Sequence, residues 1–357
     1  MIKQTLRQVR SAKLFEVEHL PFRFTTTIRT ARRASPAKVL ELLRVVAKLL
    51  LLRRQGPIDC MLFPIGGPQF VPIMRDILLF PLILLLTRNV ILHFHAGGTA
   101  ETIDQLPRLV SVIAKFLYRR VSAAIVMTHF GRRDPESLGI RQIAVVPHNF
   151  EDTFDTTLLR RGEGQTPRLL YVGHLCPEKG TVALLGAVHS LRARGIAVRL
   201  DLVGECLPPY TQPDLTAMID RLALHEITTV HGVQAGLEKW QRYGEADLFV
   251  FPSLAYESFG VVMVEAMMWS LPVLACEWRG NREVLGNPAA ELLFSPTPNL
   301  ADQLSDALER VFAHRPQWDE WGRRNRELFL KRYSAALHSN RLARVICDIL
   351  EAKNRAR

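Results

Sequence analysis

The sequence predicts an α/β protein built from two parallel sheets, each covered by helices. Short apolar strands recur along the chain, and each is followed by a turn with glycine or proline and then by a helical segment. Strands that alternate with helices in this way favour parallel sheets. A length of 357 residues exceeds what one hydrophobic core usually holds, so two domains are expected.

The composition is that of a well-packed globular protein with excess positive charge. Apolar residues make up 48% of the chain, and the formal net charge is +11. The five cysteines form no closely spaced pair, which argues against a disulfide or zinc framework and favours a reducing, cytoplasmic location. The first residues have no secretory-signal pattern. No nucleic-acid-binding motif accompanies the charge, so nucleic acid is not an expected partner.

Much of the positive charge lies near the N-terminus. Ser35 and Pro36 predict a helix start, and Gly56 with Pro57 predicts its end. The helix between them is basic and strongly apolar. It packs half-buried on a sheet, as most amphipathic helices do, or it contacts an anionic membrane peripherally, on the inner face. Both interpretations stay open on the sequence.

A second apolar run, Ile77–Leu86, is too short to span a membrane, which takes about 20 apolar residues. We interpret it as a buried helix that leads to a strand over Asn89–His95. That strand carries His93 and His95 on one face, a spacing that metal ligands also use. No third ligand is apparent, so hydrogen-bonded core histidines are the simpler interpretation.

The segment Glu257–Ala266 carries the main chemical signal. An apolar strand over Ala246–Ser253 precedes it, so the pattern predicts a strand, a Ser-Phe-Gly loop and a helix. The first amides of such a helix lack intrahelical partners, and with the helix dipole they favour a phosphate. Glu257 on the loop and Glu265 on the helix would then accept hydroxyl groups of the same ligand.

A second segment of the same kind lies about eighty residues earlier. Leu169–Gly180 is an apolar strand that runs into a turn at Gly173 and His174 and then reaches Lys179. Glycine lets the backbone approach a ligand closely, and lysine supplies a point charge suited to phosphate. Ligands of parallel sheets bind beyond the carboxyl ends of the strands, so both segments predict one site.

The two segments YVGHLCPEKG (171–180) and ESFGVVMVEAMMWSLPVLA (257–275) together resemble the donor half of the retaining glycosyltransferases of family 4, which have the GT-B fold. The residues that match the family pattern are Gly173, Leu175, Lys179, Gly180, Glu257, Phe259, Gly260, Glu265, Ala266, Leu271, Pro272 and Val273. His174 stands where the family usually has arginine, and Ser270 where it usually has glycine. The resemblance is strong from about Arg168 to Val311 and faint before that.

The resemblance implies two Rossmann-like domains that face each other across a cleft, and a site for a nucleotide-diphosphate sugar. Expected donor-binding residues are Gly173, His174, Lys179, Glu257, Ser258, Phe259, Gly260, Val261 and Glu265. Expected catalytic residues are His95, Glu257 and Lys179. Among them, Glu257 would hold sugar hydroxyls and Glu265 the ribose, while His95, followed by Ala96–Gly98, would contact the transferred sugar.

The domain boundaries follow from composition and from the family pattern. We expect an acceptor-side domain at residues 1–150, a nucleotide-sugar-binding domain at 151–333, and a C-terminal helix at 334–357 that packs back on the first domain. The family's first strand and its glycine-rich loop are expected to be missing, with Leu14–Leu20 as the second strand. A sheet that lacks its first strand would have an open edge and a weakened donor pocket.

The expected function is transfer of a hexose-type sugar from a nucleotide-diphosphate sugar to an acceptor hydroxyl, with retention. The acceptor would be a glycan or a lipid-linked molecule of the cell envelope or of an exopolysaccharide. No Asp-x-Asp motif occurs, so neither a metal nor another cofactor is expected. A glycoside hydrolase would not explain Lys179, and a Rossmann oxidoreductase would need a Gly-x-Gly-x-x-Gly motif that the sequence lacks. A catalytically impaired nucleotide-sugar-binding subunit remains an alternative.

Overall fold

The computed structural model describes residues 5–6, 9–10, 12–21, 36–65, 67–160, 166–338 and 340–355. The chain divides into two compact units, which we call unit 1 (residues 1–148 and 338–357) and unit 2 (residues 149–337). From the sequence we expected divisions after residues 150 and 333. Both units are α/β with parallel sheets, which confirms the predicted fold class.

The described residues of unit 1 form four short parallel strands connected by helices. Its elements in chain order are α1 (Pro36–Gln55), β1 (Met61–Pro64), α2 (Phe70–Leu86), β2 (Val90–His93), α3 (Thr99–Asp104), α4 (Arg108–Tyr118), β3 (Ala123–Val126), α5 (Arg133–Ser137) and β4 (Ile143–Val145). The strands pair in the order β1-β2-β3-β4. Because successive side chains of a strand point to opposite faces, Val90 and Leu92 of β2 face α1, α2 and α4, while Ile91 faces the other side.

Unit 2, where the structure describes it, has six parallel strands in the order β10-β9-β8-β5-β6-β7. Its elements are β5 (Arg168–Val172), α6 (Thr181–Ala193), β6 (Arg199–Val203), α7 (Gln212–Arg221), β7 (Thr228–Gly232), α8 (Gly236–Glu245), β8 (Leu248–Phe251), α9 (Val261–Met268), β9 (Val273–Cys276), α10 (Asn281–Val284), β10 (Leu293–Phe294), α11 (Leu300–Ala313), α12 (Trp318–Arg332) and α13 (Ala335–His338). Strands β5 and β8 are neighbours at the centre of the sheet.

The chain then ends in α14 (Arg341–Arg355), which belongs to unit 1. Leu342, Ile346 and Ile349 of this helix are buried against Ile91 and Ile125. Helix α14 therefore covers the face of the unit 1 sheet that α1, α2 and α4 leave open.

Two predictions for unit 1 are wrong. Leu14–Leu20 forms no strand, because its backbone pairs with no described strand, although Phe15 and Val17 pack against the cluster under α14. The family pattern therefore did not give this segment its place in the structure. The run Ile77–Leu86 lies in a helix, as predicted, but Leu78 and Leu85 are 62 and 82% exposed, so only one side of the helix is buried.

Membrane spanning was excluded on the length of that apolar run. Within the described part of the chain, no helix is both long enough and apolar enough to cross a bilayer.

The exits of β5 and β6 approach each other so closely that only glycine fits. Gly204 has φ +144°, and a Cβ added to it would lie 1.8 Å from the carbonyl oxygen of Gly173. Gly173 donates its backbone N–H to the Val203 carbonyl at 2.9 Å. This contact fixes the turn that carries His174.

Candidate functional site

The carboxyl ends of β5 and β8 bring the two sequence motifs together. The loop after β5 runs from Gly173 to Gly180, and the loop after β8 runs from Pro252 to Gly260. The backbone N–H of Leu254 donates to the carbonyl of Glu178 at 3.0 Å, so the loops are joined directly. The predicted convergence at one edge of the sheet is therefore present in unit 2.

Lys179 and Glu257 form an ion pair across these loops. The lysine Nζ contacts Oε1 of Glu257, and both side chains are partly exposed, at 24 and 22%. Ser253 donates its hydroxyl to the same carboxylate oxygen at 3.3 Å. A mobile cation and a carboxylate with free lone pairs thus stand side by side, where one can bind a phosphate and the other a hydroxyl.

Gly180 holds Lys179 close to the exit of β8. Lys179 ends a short 3-10 turn that begins at Pro177, and Gly180 follows with φ +80°. A Cβ at Gly180 would lie 2.3 Å from the carbonyl oxygen of Pro252, so a larger residue would push the two loops apart. The glycine therefore sets the distance between Lys179 and the Glu257 loop.

The N-terminus of α9 lies directly after Glu257. Gly260 precedes the helix in a left-handed conformation, and no side chain caps the first amides. Phe259 is buried, with its ring 6.4 Å from Phe150 and 5.5 Å from Tyr333. The Phe259 side chain thus anchors the loop in the core, and the loop offers a ligand its backbone. Ser258 and Val261 are half-buried on either side of this turn.

Glu265 lies in the second turn of α9 and is buried between two partners. Lys239 donates to its Oε1 at 2.7 Å, and Tyr243 donates its hydroxyl to its Oε2 at 2.9 Å. Burial raises the pKa of Tyr243 well above its usual value, and the adjacent Glu265 carboxylate raises this pKa further. Tyr243 is therefore a permanent donor that keeps Glu265 in place, and Lys239 brings a second cation to this end of unit 2.

The turn after β5 is held by a buried tyrosine. Tyr171 donates its hydroxyl to the backbone carbonyl of His174 at 2.7 Å. The His174 side chain is half-buried, and burial lowers its pKa, with a smaller contribution from the positive charge of Lys179. His174 is consequently a neutral imidazole at neutral pH in this structure, unlike the arginine that the family usually has there.

His95 belongs to unit 1, where three imidazoles cluster. The His95 ring lies 4.1 Å from that of His93 and 5.7 Å from that of His148, measured between ring centroids. Burial lowers the pKa of His95 to about 4 and that of His148 to about 3, and it also lowers the pKa of His93. Among the described residues, no group of three or more His, Cys, Asp or Glu side chains is arranged to hold a metal ion.

Sequence reasoning missed the residues that hold the two carboxylates. These are Ser253 beside Glu257, and Lys239 and Tyr243 beside Glu265. Lys239 and Tyr243 are four residues apart, so they share one face of α8, but the sequence does not tell which carboxylate that face meets. Of the predicted residues, His95 lies in unit 1, and the others lie in unit 2.

Comparison with known proteins identifies relatives of this arrangement. Residues 166–314 match the family model described as Glycosyl transferases group 1. The alpha-D-kanosaminyltransferase of Streptomyces kanamyceticus is 26% identical over 264 residues, which cover 68% of this chain and 66% of that protein. The match thus spans just under two thirds of that relative's length.

Solved structures share the fold over most of the chain. Sucrose-phosphate synthase from Thermosynechococcus elongatus superposes with a TM-score of 0.75 at 16% identity, covering 98% of this chain and 93% of that one. Anabaena HepE, in complex with UDP, superposes with a TM-score of 0.69 at 20% identity, covering 87 and 84%. At sequence identities this low, the superpositions establish a common fold alone.

Proposed function

We propose that the protein is a glycosyltransferase, that unit 2 binds a nucleotide-diphosphate sugar and that the sugar is transferred to an acceptor hydroxyl. The match of residues 166–314 to the group 1 glycosyl transferase model and the fold shared with solved structures support this proposal. The observation that carries the proposal is the Lys179–Glu257 ion pair, which stands directly before the uncapped N-terminus of α9. A cation, a carboxylate and helix amides at one sheet edge suit a phosphorylated sugar.

The difficult step is departure of the nucleoside diphosphate. Negative charge grows on the phosphate oxygens as the bond to the anomeric carbon breaks. Lys179 and the first amides of α9 would stabilise this charge, and His174 would do so when it is protonated. Donors that are fixed before the reaction need little reorganisation, and the Gly180 contact with Pro252 fixes the position of Lys179.

The carboxylates would bind the two ends of the donor. Glu257 is partly exposed and would accept sugar hydroxyls, while Glu265, held by Tyr243, would accept the ribose hydroxyls. For His95 we propose a hydrogen bond to the transferred sugar, in keeping with an imidazole that stays neutral at neutral pH.

We further propose that no divalent ion carries the diphosphate. The sequence has no Asp-x-Asp motif, and Lys179 and Lys239 supply positive charge at the carboxyl end of the unit 2 sheet. The donor is proposed to be a hexose-type sugar that is transferred with retention. A glycan or lipid-linked acceptor of the cell envelope, reached from the inner face of a membrane, would suit the basic, apolar helix α1.

The direct test is to incubate the protein with a panel of UDP and GDP sugars in the presence of EDTA. Turnover is measured as the nucleoside diphosphate that is released. HepE was solved with UDP-glucose, so that donor is the first to try. We expect Lys179→Ala and Glu257→Ala each to lower the rate by about a hundredfold or more. The controls Lys331→Ala and Glu320→Ala, both exposed on α12, should keep the wild-type rate. Equal rates in all five proteins would contradict the proposed site.

The alternative function is a binding subunit that holds the donor without transferring the sugar. The neutral His174 favours this alternative, because it weakens charge stabilisation of the leaving diphosphate. In this case wild type should bind UDP-glucose, Lys179→Ala should not bind it, and neither protein should release UDP from any donor. This result would establish the binding subunit and reject the transferase.

A further inference from the structure

Three neighbouring helices of unit 1 expose apolar side chains where a globular protein usually exposes polar ones. Helix α2 packs against both α1 and α4, on one face of the sheet. Each of the three has an apolar inner face in the core and a second apolar stripe on its outer side. We call this outer side the three-helix surface. Its exposed apolar side chains are Val39, Leu40, Leu43, Leu50, Leu51, Leu78, Leu85, Leu109, Val112, Ile113 and Phe116.

Helix α4 shows the pattern most clearly. Ala114, Leu117 and Tyr118 are buried against the rest of unit 1. The opposite side carries Leu109, Val112, Ile113 and Phe116, and both Val112 and Ile113 lie three or four residues from Leu109 and from Phe116. A helix that is apolar on both sides needs a second apolar environment besides the core of its own domain.

Arginine side chains border the exposed stripe of α4. Arg108 is exposed at its start and Arg119 and Arg120 just beyond its end, and residues 108–120 include no Asp or Glu. The guanidinium of Arg120 lies 4.1 Å from the centroid of the Phe116 ring. Positive charge is therefore placed against the apolar stripe itself.

The outer sides of α1 and α2 continue the pattern. Leu40, Leu43, Leu50 and Leu51 form an exposed stripe along α1, which ends in Arg53 and Arg54. On α2, the exposed Leu78 and Leu85 are two turns apart, and Asp76, the acidic residue of this helix, is buried and paired with Arg75. Arginine thus borders an apolar surface that spreads over three helices.

We propose that the three-helix surface binds a bilayer rich in anionic phospholipid, with Leu109 and Phe116 of α4 inserted at the level of the headgroups. Apolar side chains that enter the acyl boundary and flanking arginines that meet anionic headgroups are the two features that membrane-surface helices combine. A second copy of this chain fits less well, because pairing the same surface would bring arginines of equal charge together.

The test is flotation of the full-length protein with vesicles of phosphatidylcholine, with or without about one quarter phosphatidylglycerol. Wild type should float with the anionic vesicles and stay behind with the neutral ones, and salt at several times about 0.1 M should weaken the binding. The variant with Leu109→Glu and Phe116→Glu should bind at least about tenfold more weakly.

A matched control variant lies in unit 2. Leu337→Glu with Leu330→Glu introduces the same two charges at leucines that are 69 and 39% exposed, against 72 and 41% for Leu109 and Phe116. This control should float like wild type. A second variant, Arg119→Ala with Arg120→Ala, keeps the apolar stripe and should lose affinity for the anionic vesicles and part of its salt dependence.

Three results would overturn the proposal. Wild type could stay behind with anionic vesicles, it could float equally with neutral ones, or Leu109→Glu with Phe116→Glu could float like wild type. Suppose that wild type stays behind with anionic vesicles and that sedimentation velocity shows a wild-type dimer. If Leu109→Glu with Phe116→Glu dissociates this dimer, the surface is an interface between copies. Titration of each variant with UDP checks that unit 2 is folded and tests donor binding separately, so failure of the donor site and failure of the membrane surface are distinguishable.

Discussion

The two glutamates of the donor motif are held in different ways, and this difference separates their roles. Glu257 and its lysine partner, Lys179, are both partly exposed to solvent, whereas Glu265 is buried and accepts hydrogen bonds from both Lys239 and Tyr243. A carboxylate that is held rigidly suits a constant part of the donor such as ribose. A carboxylate that is free to adjust suits the sugar that is transferred.

Tyr243→Phe tests the support of Glu265. The change removes a buried donor and leaves one carboxylate oxygen short of a partner, so we expect unfolding in urea to cost about 1–3 kcal/mol less free energy. UDP should also bind several-fold more weakly in calorimetry, because Glu265 loses its fixed position. Tyr118→Phe in unit 1 is the matched control, since Tyr118 donates to the buried Asp76 at 3.0 Å. It should destabilise the protein and leave UDP affinity unchanged, and a loss of affinity there would contradict the assignment.

His174 predicts a pH-dependent donor affinity. Its pKa is lowered in the free protein by burial and by Lys179, so the ring is neutral at neutral pH. A bound diphosphate would raise this pKa, and binding would then take up a proton. Affinity for UDP-glucose should therefore rise as pH falls from about 8 to about 6, a range in which histidine titrates.

The measurement for His174 is a calorimetric titration at several pH values. His174→Gln should flatten the dependence, while His225→Gln, at an exposed position of unit 2, should preserve it. A dependence that persists unchanged in His174→Gln would assign the proton to another group.

At the level of elements, the turns after β5 and β6 depend on each other. Gly204→Ala would place a methyl group against the Gly173 carbonyl, and we expect it to destabilise unit 2 by about 3 kcal/mol or more and to weaken UDP binding. Gly195 is the control, with φ +78° and no atom within 4 Å of an added Cβ. Gly195→Ala should cost about 1–2 kcal/mol, from the left-handed backbone alone. Urea unfolding followed by tryptophan fluorescence measures both, and equal losses would contradict the close approach.

The sequence predicts those elements whose signal is local. The strand and loop at Gly173 and the loop and helix at Glu257 carry an apolar run, a glycine turn and chemistry within a dozen residues, and they lie where they were expected. The partners of Glu265 could not be predicted, because Lys239 and Tyr243 reach it through tertiary packing of α8 on α9.

The failures have the same physical origin. Leu14–Leu20 was expected to be a strand from the family pattern, yet strand formation needs a neighbouring backbone, which no local pattern specifies. Helix α2 is apolar on all sides, and apolar composition alone does not tell a buried helix from one that exposes Leu78 and Leu85.

On the scale of the whole molecule, the histidine cluster predicts that unit 1 is the acid-labile unit. The folded-state pKa values of His95 and His148 are about 4 and about 3, below the ordinary value of 6.5. Between pH 6.5 and about 4 the unfolded chain therefore binds more protons than the folded one. The free energy of unfolding therefore decreases as the pH is lowered through this window, by up to about 1.4 kcal/mol per pH unit for each histidine.

The tryptophans allow the two units to be followed separately. All five tryptophans lie in unit 2, so their fluorescence reports on that unit, while far-ultraviolet circular dichroism reports on both. In an acid titration, ellipticity should fall at a higher pH than fluorescence changes. His148→Phe should move the first transition to lower pH, and His129→Phe, at an exposed position of unit 1, should not. Coincident transitions in wild type would contradict a separate acid response of unit 1.

The central claim is that unit 2 binds the diphosphate of a nucleotide sugar between Lys179 and the N-terminus of α9. A crystal structure of the protein with UDP, grown in EDTA, tests it most directly. The account predicts phosphate oxygens within about 3 Å of Lys179 Nζ and of the first α9 amides, with the ribose hydroxyls on Glu265. Density for UDP elsewhere, with the Lys179–Glu257 ion pair and the Glu265 carboxylate untouched, would contradict it.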